Sequence, residues 1–390
     1  MALKTYIGVD NKARQIKKAY IGVNNIAKRI KKAYIGIDGK ARPIWFGNLE
    51  YYGVLDTPLS TSRSNMAATT VGNYALFAGG ETSTKYVNTV DAFYHSGGSI
   101  ARKTPEVLTE AKAGLAATTV GNLALFAGGL SGAVPASSVD SYNASLEKSK
   151  REDLSRSRYN LAAASVGNIA LFAGGQTSAN SNDVVATVDA YTSSGTKYAN
   201  VSSLSTARSR LAAASVGDYA LFAGGANGGN SNNILTTVDT FNSSGTRIVT
   251  GNASNLDVAR SQLAATALGD YVLFAGGLNY SLEKNTTNLV EVYTSSLTKV
   301  ASTALSASRF NLAAATAGDY VLFAGGEVGG SDPYNNSRVV DAFDLSLIRI
   351  SDYLIDLPDF TNSFAKPTAA TVGKYALFAN ESLVEAYVAP

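Results

Sequence analysis

Few residues in this 390-residue chain could carry out catalysis: it has one histidine, His95, and no cysteine. Without cysteine there is no thiolate metal site and no thiol nucleophile, and one histidine supplies neither a histidine metal site nor, without a supporting motif, a Ser–His–Asp triad. Two carboxylates would suffice for a glycosidase, but here one acid recurs in every sequence repeat, which favours a structural role. We therefore predict that the protein is not an enzyme and has no catalytic residues, metal or cofactor. The recurring acids are Asp91, Asp140, Asp189, Asp239, Glu291, Asp341 and Glu385.

A basic residue recurs in the same way, except that the seventh repeat has Phe364 at that position. If the six cations converge near one axis, they form a binding site for a polymer that carries phosphate or carboxylate groups. The other explanation is structural, with the cations bonded to backbone carbonyls or to the recurring acids. The sequence leaves both explanations open. The six candidate ligand-binding cations are Arg63, Lys112, Arg158, Arg208, Arg260 and Arg309.

These acids and cations belong to a unit of about fifty residues that occurs seven times. Its most regular part is Leu-Phe-Ala-Gly-Gly at residues 76–80. A period of this length indicates one supersecondary unit that is repeated around or along an axis. The segment returns at residues 125–129, 171–175, 221–225, 273–277 and 322–326, and a damaged copy at 377–380 closes the series.

Each unit contains short apolar runs that are bounded by turn residues, which predicts buried strands. In the third unit, residues 161–166 form strand A, and Gly167-Asn168 makes a hairpin turn of type II′. Strand B ends in the double glycine, a polar loop follows, and residues 188–191 form strand C. A Ser/Gly turn then leads into a weaker strand D. Four antiparallel strands in about fifty residues are typical of a propeller blade.

The pattern Arg-Ser-x-Leu-Ala-Ala, Gly-Asn, Gly-Gly and Val-Asp-x-Tyr resembles the kelch repeat over residues 46–390. The resemblance implies an all-β fold, a seven-bladed kelch-like β-propeller. Two features depart from the family pattern: the strand-D tryptophan is missing, and Leu76 and its equivalents replace the usual tyrosine before the double glycine. Since propellers have many functions, the resemblance predicts the fold more strongly than the activity.

The two ends of the repeat region predict how the ring closes. The seventh unit stops after strand C, while residues 49–56 precede the first unit in the place where a strand D is expected. We therefore expect residues 49–56 to pair with residues 384–387, which removes an exposed sheet edge.

The loops between strands B and C vary in length and carry amide and aromatic side chains. In a propeller these loops share one face with the D–A loops that hold the six cations. Variable polar loops on a rigid scaffold favour ligand recognition. The aromatic candidates for ligand binding are Tyr86, Tyr280 and Tyr334.

Residues 1–44 form a separate module in this prediction, and residues 45–390 form the propeller. Residues 6–46 repeat every fourteen residues, and each copy has a Tyr-Ile-Gly start and an Asx-rich turn, which predicts three β-hairpins. The module carries a net charge of +9, whereas the rest of the chain carries −6. This repeat resembles N-terminal segments of tail-associated proteins in phages and prophages of Gram-positive bacteria, which implies an attachment module.

Our leading functional hypothesis is a receptor-binding protein of a phage tail or a tail-like bacteriocin. It binds a bacterial cell-surface glycan or anionic polymer and attaches to a tail or baseplate protein through residues 1–44. The alternative is a secreted or cell-associated adhesin or scaffold that binds a protein partner. The chain starts without an apolar signal segment and has no run of about eighteen apolar residues, so we expect exposure on a particle and no membrane span. We expect no nucleic-acid partner, and homo-oligomerisation stays open.

Overall fold

The computed structural model describes most of the chain, and in residues 6–45 it describes backbone strands only. The described residues form β-strands, turns and loops without an α-helix, and none of their segments is a helix long and apolar enough to span a membrane. The described ranges are 6–9, 12–15, 19–23, 26–30, 32–37, 40–45, 49–229, 233–249, 253–279, 285–329, 336–350 and 366–389.

Three antiparallel hairpins precede the propeller, as the fourteen-residue repeat predicts. Each hairpin is a separate two-stranded sheet. Their strands are β1 (Tyr6–Val9), β2 (Lys12–Gln15), β3 (Ala19–Val23), β4 (Ile26–Ile30), β5 (Lys32–Ile37) and β6 (Lys40–Trp45).

Blades 1 to 3 have strands A, B, C and D in the predicted order, and blade 4 has strands A, B and C. The strands are β8 (Ala67–Val71), β9 (Tyr74–Ala78), β10 (Val90–Ser96) and β11 (Ser99–Lys103) in blade 1; β12 (Ala116–Val120), β13 (Leu123–Ala127), β16 (Val139–Asn143) and β17 (Lys148–Arg151) in blade 2, with an added hairpin of β14 (Leu130–Ser131) and β15 (Val134–Pro135); β18 (Ala162–Val166), β19 (Ile169–Ala173), β20 (Val188–Thr192) and β21 (Lys197–Tyr198) in blade 3; and β22 (Ala212–Val216), β23 (Tyr219–Ala223) and β24 (Val238–Asn242) in blade 4.

Blades 5 to 7 complete the seven-bladed ring. The closing strand, β7 (Glu50–Val54), pairs with strand C of blade 7, so the predicted closure is confirmed. The other strands are β25 (Ala264–Leu268), β26 (Tyr271–Ala275), β27 (Leu289–Thr294) and β28 (Lys299–Ala304) in blade 5; β29 (Ala313–Ala317), β30 (Tyr320–Ala324) and β31 (Val340–Asp344) in blade 6; and β32 (Thr368–Val372), β33 (Tyr375–Asn380) and β34 (Leu383–Val388) in blade 7.

Strand D, predicted as the weaker fourth strand, is short in the described parts of blades 4 and 6. Within the described residues, these blades have three ladder strands, and strand D is reduced to the single bridges Phe241–Arg247 and Phe343–Arg349. Strand D is the outermost strand of a blade, and it is also the strand with the least regular apolar pattern. The shared structure of the seven blades therefore lies in strands A to C.

The core lies between neighbouring blades and is built from strand B. All five residues of Leu123–Ala127 are buried, for example, and the Phe126 ring packs edge-to-face on Tyr142 of strand C at 5.9 Å between ring centroids. This aromatic pair recurs in all seven blades. Such pairs contribute about 0.5–1.5 kcal/mol beyond the buried area.

The double glycine permits close contact between neighbouring blades. A Cβ atom at Gly79, where φ is +67°, would lie 2.5 Å from the carbonyl oxygen of Lys112 in blade 2. The Gly80 amide donates a 2.8 Å hydrogen bond to that same carbonyl. Any larger residue at position 79 would separate the blades, which explains why the sequence keeps glycine there.

The strands A of successive blades contact one another, and β32 contacts β8 to close the inner ring. Hydroxyl groups link several of these strands across the blade boundary. The Thr119 Oγ1 donates to the Thr70 carbonyl at 2.6 Å, and the Thr371 Oγ1 donates to the Thr316 carbonyl at 2.9 Å. The equivalent position in blade 5 is Ala267, which has no hydroxyl.

Candidate functional site

The six cations predicted from the sequence lie inside the blades. Each is at most 1% exposed. In five of the blades an arginine forms an ion pair with the strand-C acid of its own blade. In four of these pairs the nitrogen–oxygen distance is 2.7–2.8 Å. The pairs are Arg63–Asp91, Arg158–Asp189, Arg208–Asp239, Arg260–Glu291 and Arg309–Asp341.

Each of these ion pairs joins several strands of one blade. In blade 3, the Arg158 Nη2 lies 2.8 Å from Asp189 in strand C and also donates to the Phe172 carbonyl in strand B at 3.1 Å. Asp189 accepts a 3.1 Å hydrogen bond from the Ser155 amide in the D–A loop and lies 3.4 Å from Lys197 of strand D. Burial lowers the pKa of Arg158, and the neighbouring carboxylate opposes that shift. The network therefore keeps a buried charge neutralised.

Lys112 of blade 2 departs from this arrangement. Its ammonium group donates to the backbone oxygen of Ser138 at 2.9 Å and to the Ser138 hydroxyl at 2.7 Å. The blade's acid, Asp140, accepts a 3.0 Å hydrogen bond from the Thr109 amide, as Asp189 does from Ser155. Its nearest cation is Lys148 of strand D at 3.7 Å. Burial lowers the pKa of Lys112 to about 8, against the opposing effect of Asp140 and nearby acids.

The structure therefore corrects our hypothesis of an anion-binding ring formed by the six cations. That hypothesis required that the strand-C acids leave the cations unpaired. The acids reach the five arginines, and all six basic side chains are buried away from a ligand at the surface. Their structural role is the alternative that matches these contacts. Phe364, where the pattern breaks, lies outside the described residues.

A different ring, two residues further along the chain, surrounds the mouth of the central channel. We call it the mouth ring. Its members occupy the same position in each blade, and all seven line one pocket of about 370 Å³ on the face formed by the D–A and B–C loops. They are Asn65, Gly114, Asn160, Arg210, Gln262, Asn311 and Lys366.

The backbone of the mouth ring is held in an unusual conformation. Six of its members have φ between +54° and +62°, the left-handed region that favours glycine and asparagine. Backbone hydrogen bonds connect one member to the next: Asn160 donates to Gly114 at 2.9 Å and Arg210 donates to Asn160 at 2.9 Å. In the same way, the Gln262 amide donates to the Arg210 carbonyl and the Asn311 amide donates to the Gln262 carbonyl. The ring is therefore preorganised by a chain of bonds that crosses the blades.

The side chains of the mouth are mainly polar, and most of its amides are held in place. Asn160 donates to Gln176 at 3.2 Å and Gln262 donates to Asn311 at 3.1 Å. Three side chains of the pocket carry a charge, Glu81, Arg210 and Lys366. The pocket thus offers hydrogen-bond donors and acceptors on a rigid frame, which suits a polar ligand.

Two aromatic residues, Tyr86 and Tyr159, also line this pocket. Tyr86 is half-buried and lies opposite Glu81 in an isolated β-bridge. The other two predicted tyrosines, Tyr280 and Tyr334, lie outside the described residues. Tyr86 lies on the face that the sequence analysis favoured, and its role in binding stays a prediction. The sequence analysis did not single out the mouth ring, because its residue types differ from blade to blade.

His95 lies at the opposite face, in the region of the C–D turn. It is exposed, and its ring stacks on Tyr375 with 5.3 Å between centroids. Within the part of the chain that the structure describes, no three His, Cys, Asp or Glu residues are grouped so that they could hold a metal ion.

Comparisons with known proteins support the fold. No family model matches the sequence, and no curated protein matches it. A solved structure, that of YjhT, matches with a TM-score of 0.56 and 12% sequence identity, over 75% of this chain and 97% of that chain. At this level of identity the likeness shows a shared propeller fold and carries no function across.

Proposed function

We propose that the protein binds a glycan at the mouth of its central channel, without turning it over. The observation that carries this proposal is the mouth ring, which gathers one residue from each of the seven blades, six of them with polar side chains, around one pocket. Amide groups donate and accept hydrogen bonds at once, as sugar hydroxyls do, and tyrosine rings pack on sugar faces.

The biological setting that we propose is receptor recognition by a phage tail or a tail-like bacteriocin. In this proposal the ligand is a bacterial cell-surface glycan, and residues 1–44 attach the protein to a tail or baseplate component. The support comes from the fourteen-residue repeats, which resemble N-terminal segments of phage tail-associated proteins, and from the change in net charge, from +9 in residues 1–44 to −6 in the rest.

Glycan binding can be tested with variants that remove mouth amides without disturbing the backbone. Asn160→Gly and Asn311→Gly keep a residue that accepts positive φ, as Gly114 does naturally at the equivalent position. We expect the double variant to lose binding on an array of bacterial surface glycans while its melting temperature stays close to that of the wild type.

The matched control is Asn73→Asp in an A–B turn on the opposite face, a change that copies Asp218 of blade 4. This control should bind as the wild type does. Equal binding by the double variant and the control would place any glycan site elsewhere, and release of a shortened sugar during the assay would contradict pure binding.

Attachment can be tested separately. A truncated chain that begins at residue 45 should fold and bind the same glycans, but it should fail to enter tail particles. If the truncated chain is incorporated normally, residues 1–44 are not the attachment module.

A further inference from the structure

We infer that the channel mouth recognises an anionic glycan, through one carboxylate or phosphate group bound by Arg210 with the help of Lys366. This inference rests on the proposed glycan binding and adds the chemical class of the ligand.

The first observation is the backbone of Arg210. Its φ is +55°, in the left-handed region that residues other than glycine and asparagine rarely adopt. Three equivalent positions carry asparagine and one carries glycine, so local backbone preference explains those four. It does not explain arginine at 210 or glutamine at 262.

The second observation separates those two residues. The Gln262 side chain donates to Asn311 at 3.1 Å, so it has a structural partner inside the ring. The Arg210 guanidinium has no hydrogen bond or ion pair with any residue that the structure describes, although the side chain is half-buried at the pocket wall. By contrast, Arg208 forms an ion pair with Asp239 at 2.8 Å. A ligand is the remaining reason for an arginine at position 210.

The third observation is the charge of the pocket. Lys366 is exposed at the mouth and likewise has no ion-pair partner among the residues described in blades 1 to 7. The one acid of the pocket wall, Glu81, accepts a 3.3 Å hydrogen bond from Asn65. Among the described residues of the pocket wall, two cations without an ion-pair partner therefore stand against one engaged carboxylate, an excess of positive charge that favours an anionic ligand.

The geometry of the cations also indicates how the ligand binds. Arg210 belongs to blade 4 and Lys366 to blade 7, so the two approach the pocket from different sides of the ring. A guanidinium donates two parallel hydrogen bonds to a carboxylate or a phosphate. The remaining amides of the ring then face the sugar hydroxyls around that group.

The variant that tests this inference is Arg210→Asn, which copies Asn160 and Asn311. Because asparagine accepts positive φ, the variant should be at least as stable as the wild type. Leu146→Asn is the control, because it places asparagine at another position of positive φ (+67°), in the C–D turn of blade 2 away from the pocket, without loss of charge. The probes are oligogalacturonate, its neutral methyl ester and poly(glycerol phosphate).

We expect the wild type to bind oligogalacturonate or poly(glycerol phosphate) more tightly than the methyl ester, with affinity that falls as salt rises. Loss of a charged hydrogen bond should weaken acidic-probe binding in Arg210→Asn by about 10- to 100-fold. Leu146→Asn should retain the acidic-probe binding of the wild type, and Lys366→Gln should lose less of it than Arg210→Asn. Preference between the two acidic probes identifies the group as carboxylate or phosphate.

Two results would overturn the inference and leave the proposed function standing: equal affinity for the methyl ester and oligogalacturonate, or binding by Arg210→Asn equal to that of the wild type. Failure of the wild type to bind any of these probes or any glycan on the array would instead overturn the proposed function.

Discussion

The Tyr51 hydroxyl donates a 2.7 Å hydrogen bond to a carboxylate oxygen of Glu385, which joins residues that are 334 positions apart. Tyr51 lies in the closing strand β7 and Glu385 in β34, and backbone pairing brings Glu385 opposite Val54. The first and last strands of the propeller therefore share one sheet, so the ring has no free edge at its seam.

The first prediction concerns this seam. Leu49 precedes β7, has no exposed surface and packs in a cluster with Leu322 and Tyr387. Leu49→Ala should lower the free energy of unfolding by about 2–5 kcal/mol, because it leaves a cavity in the core. The control is Val54→Ala in the same strand, where the side chain is 41% exposed and the change should stay within about 0.5 kcal/mol. Urea denaturation followed by circular dichroism measures both; similar losses would mean that the seam is not a packed core.

The second prediction concerns the blade with a lysine. Lys112→Arg should place a guanidinium where Arg158 has one, within reach of Asp140, and raise stability by about 1–3 kcal/mol. The reverse change, Arg158→Lys, should lower stability by about 1–3 kcal/mol, because the ammonium group cannot bond both Asp189 and the Phe172 carbonyl as the guanidinium does. Denaturation midpoints of the two variants test this. A destabilised Lys112→Arg would show that blade 2 is shaped around the shorter ammonium group.

The third prediction is a pH effect of the same lysine. Burial lowers the pKa of Lys112 to about 8, so above that pH the folded chain releases a proton that the unfolded chain retains up to a pKa near 10.5. The folded state that holds fewer protons gains stability as pH rises. The wild type should therefore gain about 2 kcal/mol relative to Lys112→Arg between pH 7 and pH 9.5.

The comparison with Lys112→Arg isolates this effect, because arginine does not titrate in that window and all tyrosines are common to both chains. Burial raises the pKa of Tyr142, so this tyrosine affects the free energy of unfolding only at a pH where tyrosine ionises in the unfolded chain. Because Tyr142 is present in both chains, its effect cancels when their stabilities are subtracted. If the difference in the free energy of unfolding between the wild type and Lys112→Arg does not change with pH, the ammonium group of Lys112 stays protonated throughout this range.

The fourth prediction concerns the hydroxyl groups that link the strands A. Ala267→Thr should add a donor that reaches the Ser215 carbonyl, as Ser215 itself reaches the Ser165 carbonyl. We expect a gain of about 1 kcal/mol. Thr371→Val should lose a similar amount, because the Thr316 carbonyl loses its 2.9 Å hydrogen bond. Thermal melting curves compare the two; if Ala267→Thr melts lower, blade 5 lacks the space for the added atoms.

The sequence alone determined the strands and the number of blades. Strands A and C of the third unit, predicted at residues 161–166 and 188–191, lie at Ala162–Val166 and Val188–Thr192. The closing strand, predicted at residues 49–56, spans Glu50–Val54. The sequence places these strands because turn glycines and short apolar runs are local properties of the chain. No bounds for strand D in blades 4 and 6 followed from the sequence, because an outer strand has little apolar pattern to define it.

Only the tertiary structure decided the roles of the charged residues. Arg158 and Asp189 recur at regular intervals, and a sequence cannot show whether two such series point at each other or at solvent. Sheet packing places them 2.8 Å apart inside the blade. Arg210, two residues beyond a buried arginine, follows no sequence pattern at all. Its place at the channel mouth depends on two things: a left-handed turn that repeats in six blades, and the closure of seven blades around one axis.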